Sequence, residues 1–183
     1  KVASFDRNDW HRPTEIANEF AIEVNKVNAG EINIFMEQCH SGGFISDLSD
    51  ENRVISTACT AEESSWAMPP NYIYNEFAYH WTAAVAGEDP NGNTINADLD
   101  NDGYVSVQEA FNYAYTNDDY VNGVYIDGHG TVYEHPQYES QNSTLGESLT
   151  LLGKEICFST ILDANFWYHF NFLHQGNPDY VEG

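Results

Sequence analysis

A short apolar segment that leads directly into a cysteine and two glycines constrains this chain more than any other feature. Residues Ile32 to Glu37 have the composition of a buried β-strand, and Cys39 and the Gly42-Gly43 pair follow it. Open α/β sheets place their reactive groups at the carboxyl ends of such strands. Glycines at this point allow a sharp turn and leave space for a substrate to approach. The pattern predicts a functional cysteine at the edge of a parallel sheet.

Position alone leaves two roles open for Cys39. An accessible thiolate beside a base acts as a nucleophile. The backbone N–H groups of the turn, those of Cys39 and Gly42, could then hold a developing oxyanion. The alternative is a small apolar side chain packed in the core, which is what most free cysteines are.

The residues around Cys39 resemble the nucleophile signature of a known group of peptidases. The run Glu37-Gln-Cys-His-Ser-Gly-Gly43 is similar to that of the caspase-like cysteine peptidases, the clan of caspases, metacaspases, gingipains and legumain. Residues 53–66 resemble the segment that lines the S1 pocket in legumain relatives. The resemblance covers about residues 13–116 and is closest to prokaryotic legumain-like peptidases with an EF-hand-type calcium loop.

This resemblance implies a cysteine endopeptidase whose nucleophile is Cys39. It implies an α/β domain of the caspase/hemoglobinase type over residues 1–183, with a mainly parallel sheet flanked by helices and its amino-terminal strands missing from this chain. The implied walls of the S1 pocket are Glu37, Ser64, Ser65 and Trp66. From the residues alone, Glu37 equally fits a strand-end carboxylate, and Trp66 equally fits a packing residue. An acidic pocket would favour a basic P1 residue, and a mixed pocket would favour Asn.

The catalytic base is missing from its expected place. In the caspase-like peptidases, a His-Gly pair ends the strand before the cysteine strand, whereas only His11 precedes Cys39 here. We expect the base upstream of Lys1, on an amino-terminal segment or a companion chain that carries the His-Gly strand. His129 in the pair His129-Gly130 is a second candidate, because geometry and not chain order sets such roles. The third possibility is a non-catalytic calcium-binding module on the same fold.

An Asp-rich stretch, residues 98–109, has the ligand spacing of an EF-hand calcium loop. Calcium takes six to eight hard oxygen ligands, and the glycine at the sixth position, Gly103, permits the sharp bend. The alternative is an acidic turn that only resembles the loop. The predicted ligands, at positions one, three, five, seven, nine and twelve, are Asp98, Asp100, Asp102, Tyr104, Ser106 and Glu109. They belong to a predicted insert at about residues 88–116.

The spacing of apolar residues predicts the remaining elements. Helices are expected over residues 13–28 and 72–86 and from residue 110 to 115, with a short helical turn at 43–48. The strand next to the cysteine strand is expected at 53–59. Residues 124–130 resemble a strand that ends in a His-Gly pair, and residues 155–162 resemble a late strand of the sheet.

Composition limits the partners of the protein. Twenty-nine acidic residues against six basic ones give a net charge of −23, which disfavours nucleic acid and anionic membranes. No apolar run is long enough to span a membrane. The acidity fits a secreted protein, a salt-adapted one or one that binds cations. The resemblance implies a secreted or cell-surface enzyme with a polypeptide substrate. Cys59 and Cys157 lie in apolar runs and are predicted to be buried thiols, and Asn142 begins a glycosylation sequon.

Overall fold

The structure is a computed structural model that describes residues 13–69 and 74–151, with only the backbone described for residues 13–16. Two 3₁₀ turns, Ser41–Phe44 and Asp119–Val121, join the regular elements. The helices and strands, in chain order, are α1 (Pro13–Val24), β1 (Ile32–Met36), α2 (Ile45–Leu48), β2 (Arg53–Thr57), α3 (Glu76–Ala86), α4 (Val107–Asn117), β3 (Val124–Ile126), β4 (Gly130–Val132), β5 (Gln137–Glu139) and α5 (Ser143–Ser148).

The main sheet of the described residues has three strands in the order β1-β2-β5. Strands β1 and β2 are parallel, in a register that pairs Ile32 with Arg53 and Met36 with Thr57. Strand β5 runs antiparallel to β2. The predicted α/β fold with a sheet flanked by helices is confirmed, and β5 adds an antiparallel strand to it.

Both faces of this sheet are covered by helices, because alternate strand residues point to opposite faces. On one face, Ile34 and Ile55 pack in a buried cluster with residues of α1 and α2. On the other face, Val54 packs with residues of α3 and α4. The ring centroid of Phe35 lies 5.7 Å from that of Phe77 and 4.5 Å from that of Trp81. A sheet buried on both faces is what a parallel strand pair requires.

The helices predicted at 13–28, 72–86 and 110–115, the helical turn at 43–48 and the strands predicted at 32–37 and 53–59 are present and differ from the predictions mainly at their ends. The first helix ends at Val24, and the strand after Cys39 ends at Thr57. Helix α3 begins at Glu76, because the side chain of Asn75 accepts a hydrogen bond from the N–H of Ala78 and caps it. Residues 1–12 with His11, residues 70–73, the late strand at 155–162 and Cys157 lie outside the described residues.

The segment 124–130 is not one strand that ends in a His-Gly pair. It forms β3, a turn at residues 127–129, and the first residue of β4, so that β3 and β4 make a separate antiparallel hairpin. Gly128 and Gly130 have positive φ values of 86° and 81°, which favour glycine and turn the chain back. Within the described residues, every helix is too short or too polar to cross a membrane.

Candidate active site

Cys39 lies just beyond the carboxyl end of β1, and its side chain is exposed. The next residue, His40, has a positive φ of 62°, which turns the chain into the 3₁₀ segment that begins at Ser41. The Nδ1 of the His40 ring lies 2.9 Å from the carbonyl oxygen of Ala61. The turn presents the thiol at the rim of the sheet.

The turn after Cys39 packs directly on the end of β2. The N–H of Gly42 donates to the carbonyl oxygen of Cys59 at 2.9 Å, and a Cβ atom at Gly42 would lie 2.8 Å from that oxygen. The N–H of Gly42 is therefore engaged within the protein, and the oxyanion role of Gly42 stays a prediction that requires this hydrogen bond to break. Cys59 is fully buried, as predicted, and burial raises the pKa of its thiol above the ordinary value.

Residues 64–67, here called the substrate segment after the role that the sequence predicts for them, run beside Cys39. The N–H of Ser65 points at the sulfur of Cys39, with 3.4 Å between nitrogen and sulfur. The sulfur lies 3.8 Å from the carbonyl oxygen of Ser65, and the hydroxyl of Ser65 donates to the carbonyl oxygen of Glu37 at 2.6 Å. The structure thus brings Cys39, Glu37 and Ser65 together, with Ser64 and Trp66 half-buried on either side of Ser65.

The ring of Trp66 packs against two other rings. Its centroid lies 6.5 Å from that of Tyr120 in a stacked arrangement and 5.4 Å from that of His129 in an edge arrangement. His129 belongs to the β3–β4 turn, so this hairpin lies against the substrate segment. The role of His129 as a base stays a prediction.

A group of buried carboxyl groups lies behind the substrate segment. Glu134 has no exposed surface, and its carboxylate accepts hydrogen bonds from the N–H of Trp66 at 2.5 Å and from the side-chain amide of Asn75 at 2.8 and 3.0 Å. Burial raises the pKa of Glu134 to about 8, and the neighbouring carboxyl groups of Asp118 and Glu76 raise it further against these hydrogen bonds. Burial likewise raises the pKa of Asp118 to about 7.

An imidazole–carboxylate pair fixes the start of the same region. The Nδ1 of His135 lies 2.5 Å from an oxygen of Glu63, and the other oxygen accepts from the N–H and hydroxyl of Thr60. Partial burial opposes ionisation, but the hydrogen bonds from His135 and Thr60 hold the pKa of Glu63 below its ordinary value. This pair connects His135, which lies just before β5, to Glu63, which lies just before the substrate segment.

Three of the six predicted calcium ligands come together in the loop that leads into α4. A carboxylate oxygen from each of Asp98, Asp100 and Asp102 lies within 4.8 Å of the others, and the Oδ1 of Asp98 is buried without a hydrogen-bond partner. Glu109 forms a capping box with Ser106 at the start of α4. Although partial burial opposes it, hydrogen bonds from Ser106, Leu99 and Asp100 hold the pKa of Glu109 below its ordinary value. Calcium prefers hard oxygen ligands, so this group of carboxylates, with one buried oxygen of Asp98 that has no hydrogen-bond partner, fits a calcium ion.

A comparison with family models decides the family. The model of the Peptidase C13 family matches residues 4–102. The chain belongs to the Peptidase C13 family. This C13 family is the legumain family of cysteine peptidases, so its members are hydrolases with polypeptide substrates. No curated protein matches the chain. The C13 match includes Cys39 and the substrate segment and ends inside the Asp-rich loop.

Several buried polar residues behind the substrate segment were not predicted. Asn75, Asp118 and Glu134 lie far apart in the sequence, and no motif links them. The only available signal was local, since an asparagine that precedes an apolar helix is a typical N-cap. The contact between Glu134 and the substrate segment forms only when the chain folds, so no local sequence pattern could predict it.

Proposed function

We propose that this C13 chain is the nucleophile-bearing part of a calcium-stabilised cysteine endopeptidase. Cys39 attacks the carbonyl carbon of the scissile peptide bond as a thiolate, and the N–H of Cys39 helps to hold the oxyanion. An imidazole protonates the leaving amine. Glu37, Ser64, Ser65 and Trp66 form the walls of the S1 pocket, and an acidic group there favours a basic or an amide side chain at P1.

The position of the thiol is the observation that carries this proposal. Cys39 is exposed at the carboxyl end of a parallel strand, which is where open sheets place reactive groups. The backbone N–H and C=O of Ser65 lie beside its sulfur, so a peptide that pairs with this segment passes the nucleophile. Extended peptides bind backbone edges through main-chain hydrogen bonds, and such a peptide would replace the contacts of the Ser65 backbone with the sulfur of Cys39.

The unpaired edge of β1 supports the proposal that the catalytic base lies on another segment, which would pair with this edge. The N–H of Ile32 donates to the carbonyl of Asn52, and the carbonyl of Met36 accepts from the N–H of Ala58. Alternate residues of β1 therefore bond toward β2. The backbone groups of the residues between them, Asn33 and Phe35, face the other edge. Among residues 13–69 and 74–151, no strand pairs with that edge. A strand that ends in His-Gly, upstream of Lys1 or on a companion chain, fits there.

Calcium is the second part of the proposal. Asp98, Asp100 and Asp102, the carbonyl of Tyr104, Ser106 and Glu109 would hold the ion at the amino-terminal end of α4. When bound, calcium neutralises like charges and fixes the loop against the core. Single loops of this type suit extracellular calcium concentrations, and we propose that the protein acts outside the cell or at its surface.

A peptide-directed thiol probe tests the proposal. Peptidyl acyloxymethyl ketones with Arg or Asn at P1 should alkylate Cys39 in the whole protein, including any companion segment, and the label should be located by mass spectrometry. We expect Cys39→Ala to abolish labelling and Cys59→Ala, the matched control, to keep it. No labelling, or equal labelling of Cys59, would support the alternative of a calcium-stiffened module without catalysis.

A further inference from the structure

The two sides of the substrate segment have different partners. Ser65 turns its backbone N–H and C=O toward the sulfur of Cys39. The next residue, Trp66, turns its N–H toward Glu134 and its carbonyl toward Asn75 and the N–H of Glu76. Successive residues of an extended segment face opposite ways, so the side that can bind a peptide is Ser65's, and the opposite side is bound to the protein.

Glu134 connects that opposite side to a helix. Its carboxylate accepts from the N–H of Trp66 and, through both oxygens, from the side-chain amide of Asn75. The same amide also donates to the carbonyl of Trp66 at 3.2 Å, while the amide oxygen caps α3 by accepting from Ala78 at 2.8 Å. Glu134 itself is fixed because its N–H donates to the carbonyl of Tyr120 at 3.1 Å.

A carboxyl group at this place is costly for the fold. Glu134 is fully buried beside Asp118 and Glu76, and burying an ionisable group is unfavourable unless its hydrogen bonds compensate. Apolar side chains would stabilise the core better, but they cannot accept the N–H of Trp66. Buried groups with displaced pKa values concentrate at functional sites.

We propose that Glu134 is a positioning residue, which holds the substrate segment at a fixed distance from Cys39 so that the backbone of Ser65 can bind the peptide substrate. This inference rests on the proposed function, since it assigns the substrate to the edge of residues 64–67. Glu134 touches neither the thiol nor the peptide. Its effect passes through Trp66.

Two variants separate the length of the side chain from its ability to ionise. Glu134→Gln keeps the length and one acceptor oxygen but cannot ionise, whereas Glu134→Asp keeps an ionisable carboxyl group and withdraws it by one methylene. Both are compared with the wild type in the whole protein for alkylation by the peptidyl acyloxymethyl ketones and by iodoacetamide. Iodoacetamide needs only an accessible thiol, so it reports the turn around Cys39 without the substrate segment.

We expect the Asp variant to react with the peptidyl probe about tenfold more slowly, or slower still, because the hydrogen bond to Trp66 is lost. The Gln variant should stay within about threefold of the wild type, and iodoacetamide should alkylate all three proteins equally. Equal peptidyl rates for the wild type and the Asp variant would overturn the inference, as would a Gln variant as slow as the Asp variant or iodoacetamide rates that fall in parallel. A wild type that reacts with iodoacetamide but not with the peptidyl probe would instead reject the proposed function.

Discussion

At the scale of single residues, Gly42 lies where the turn after Cys39 contacts the residues that follow β2. In Gly42→Ala the new Cβ would lie 2.8 Å from the carbonyl oxygen of Cys59 and 2.9 Å from the Cα of Thr60. Both neighbours are backbone atoms, so the turn or the strand must move. We expect the free energy of unfolding to fall by about 1–3 kcal/mol, as overpacked sites do, measured by urea denaturation.

Gly43→Ala is the matched control for that prediction. At Gly43 the nearest atom to an added Cβ is the side-chain carbon of Ala61 at 3.5 Å, an ordinary contact. The free energy of unfolding should stay within about 0.5 kcal/mol of the wild type. Equal losses in the two alanine variants would contradict the close packing of Gly42 on β2.

Local pattern predicted some of the site residues and not others. The apolar strand and the glycines predicted that Cys39 would lie at a strand end, because that information is contained in a dozen neighbouring residues. Glu134 is 68 residues from Trp66 and 59 from Asn75. Only the folded chain brings them together. The hydrogen bond of the Gly42 N–H was missed for the same reason, since its partner Cys59 follows the next strand, β2.

At the scale of elements, the sequence predicted the helices and strands whose apolar residues recur regularly over several positions. Helices α1 and α3 and strands β1 and β2 follow from apolar spacing. The β3–β4 hairpin was not predicted because each of its strands has only three residues, too few for an alternating pattern. Its turn residues were interpreted as a strand end. Strand β5 is equally short, and its antiparallel direction depends on β2.

The calcium loop gives the element-scale prediction. Adding calcium to the chelated protein should raise its melting temperature. At a free calcium concentration about one hundred times the dissociation constant, binding adds about 2.7 kcal/mol to the free energy of unfolding. Asp98→Asn and Asp102→Asn should remove most of this gain because each deletes a charged ligand. Differential scanning calorimetry with and without calcium measures it.

The choice of variants matters for this loop. Glu109 is a poor first choice because it also caps α4, so its loss would destabilise the helix even without an ion. Glu51→Gln removes one exposed acidic charge outside the loop and should leave the calcium response intact. A gain that survives Asp98→Asn and Asp102→Asn, or none in the wild type, would refute the calcium site.

At the scale of the whole molecule, the edge of β1 gives the last prediction. In this chain alone, the backbone amide hydrogens of Asn33 and Phe35 should exchange with deuterium much faster than that of Ile34, whose backbone groups bond to β2. Adding the segment that carries the His-Gly strand should protect Asn33 and Phe35. Site-resolved hydrogen exchange measures both states.

The controls for this experiment lie in the same sheet. Ile55 bonds within the sheet, so its exchange should not respond to the added segment. Protection of Asn33 and Phe35 before any segment is added would mean that another part of this chain already covers the edge. An upstream strand would then have no place there.

The buried acids behind the substrate segment also make folding a proton-binding reaction. An unfolded chain releases the protons of such groups near pH 4, whereas Asp118 and Glu134, crowded by Glu76 and with His80 nearby, keep theirs to about 7 and about 8. Between those limits the folded form holds the protons of these two groups and the unfolded chain does not, so their contribution to stability declines as the pH rises from about 4 to about 8. Mild acidity would also reduce the self-repulsion of a chain with net charge −23. In alkaline solution, ionised Asp118 and Glu134 would weaken the buried region behind residues 64–67.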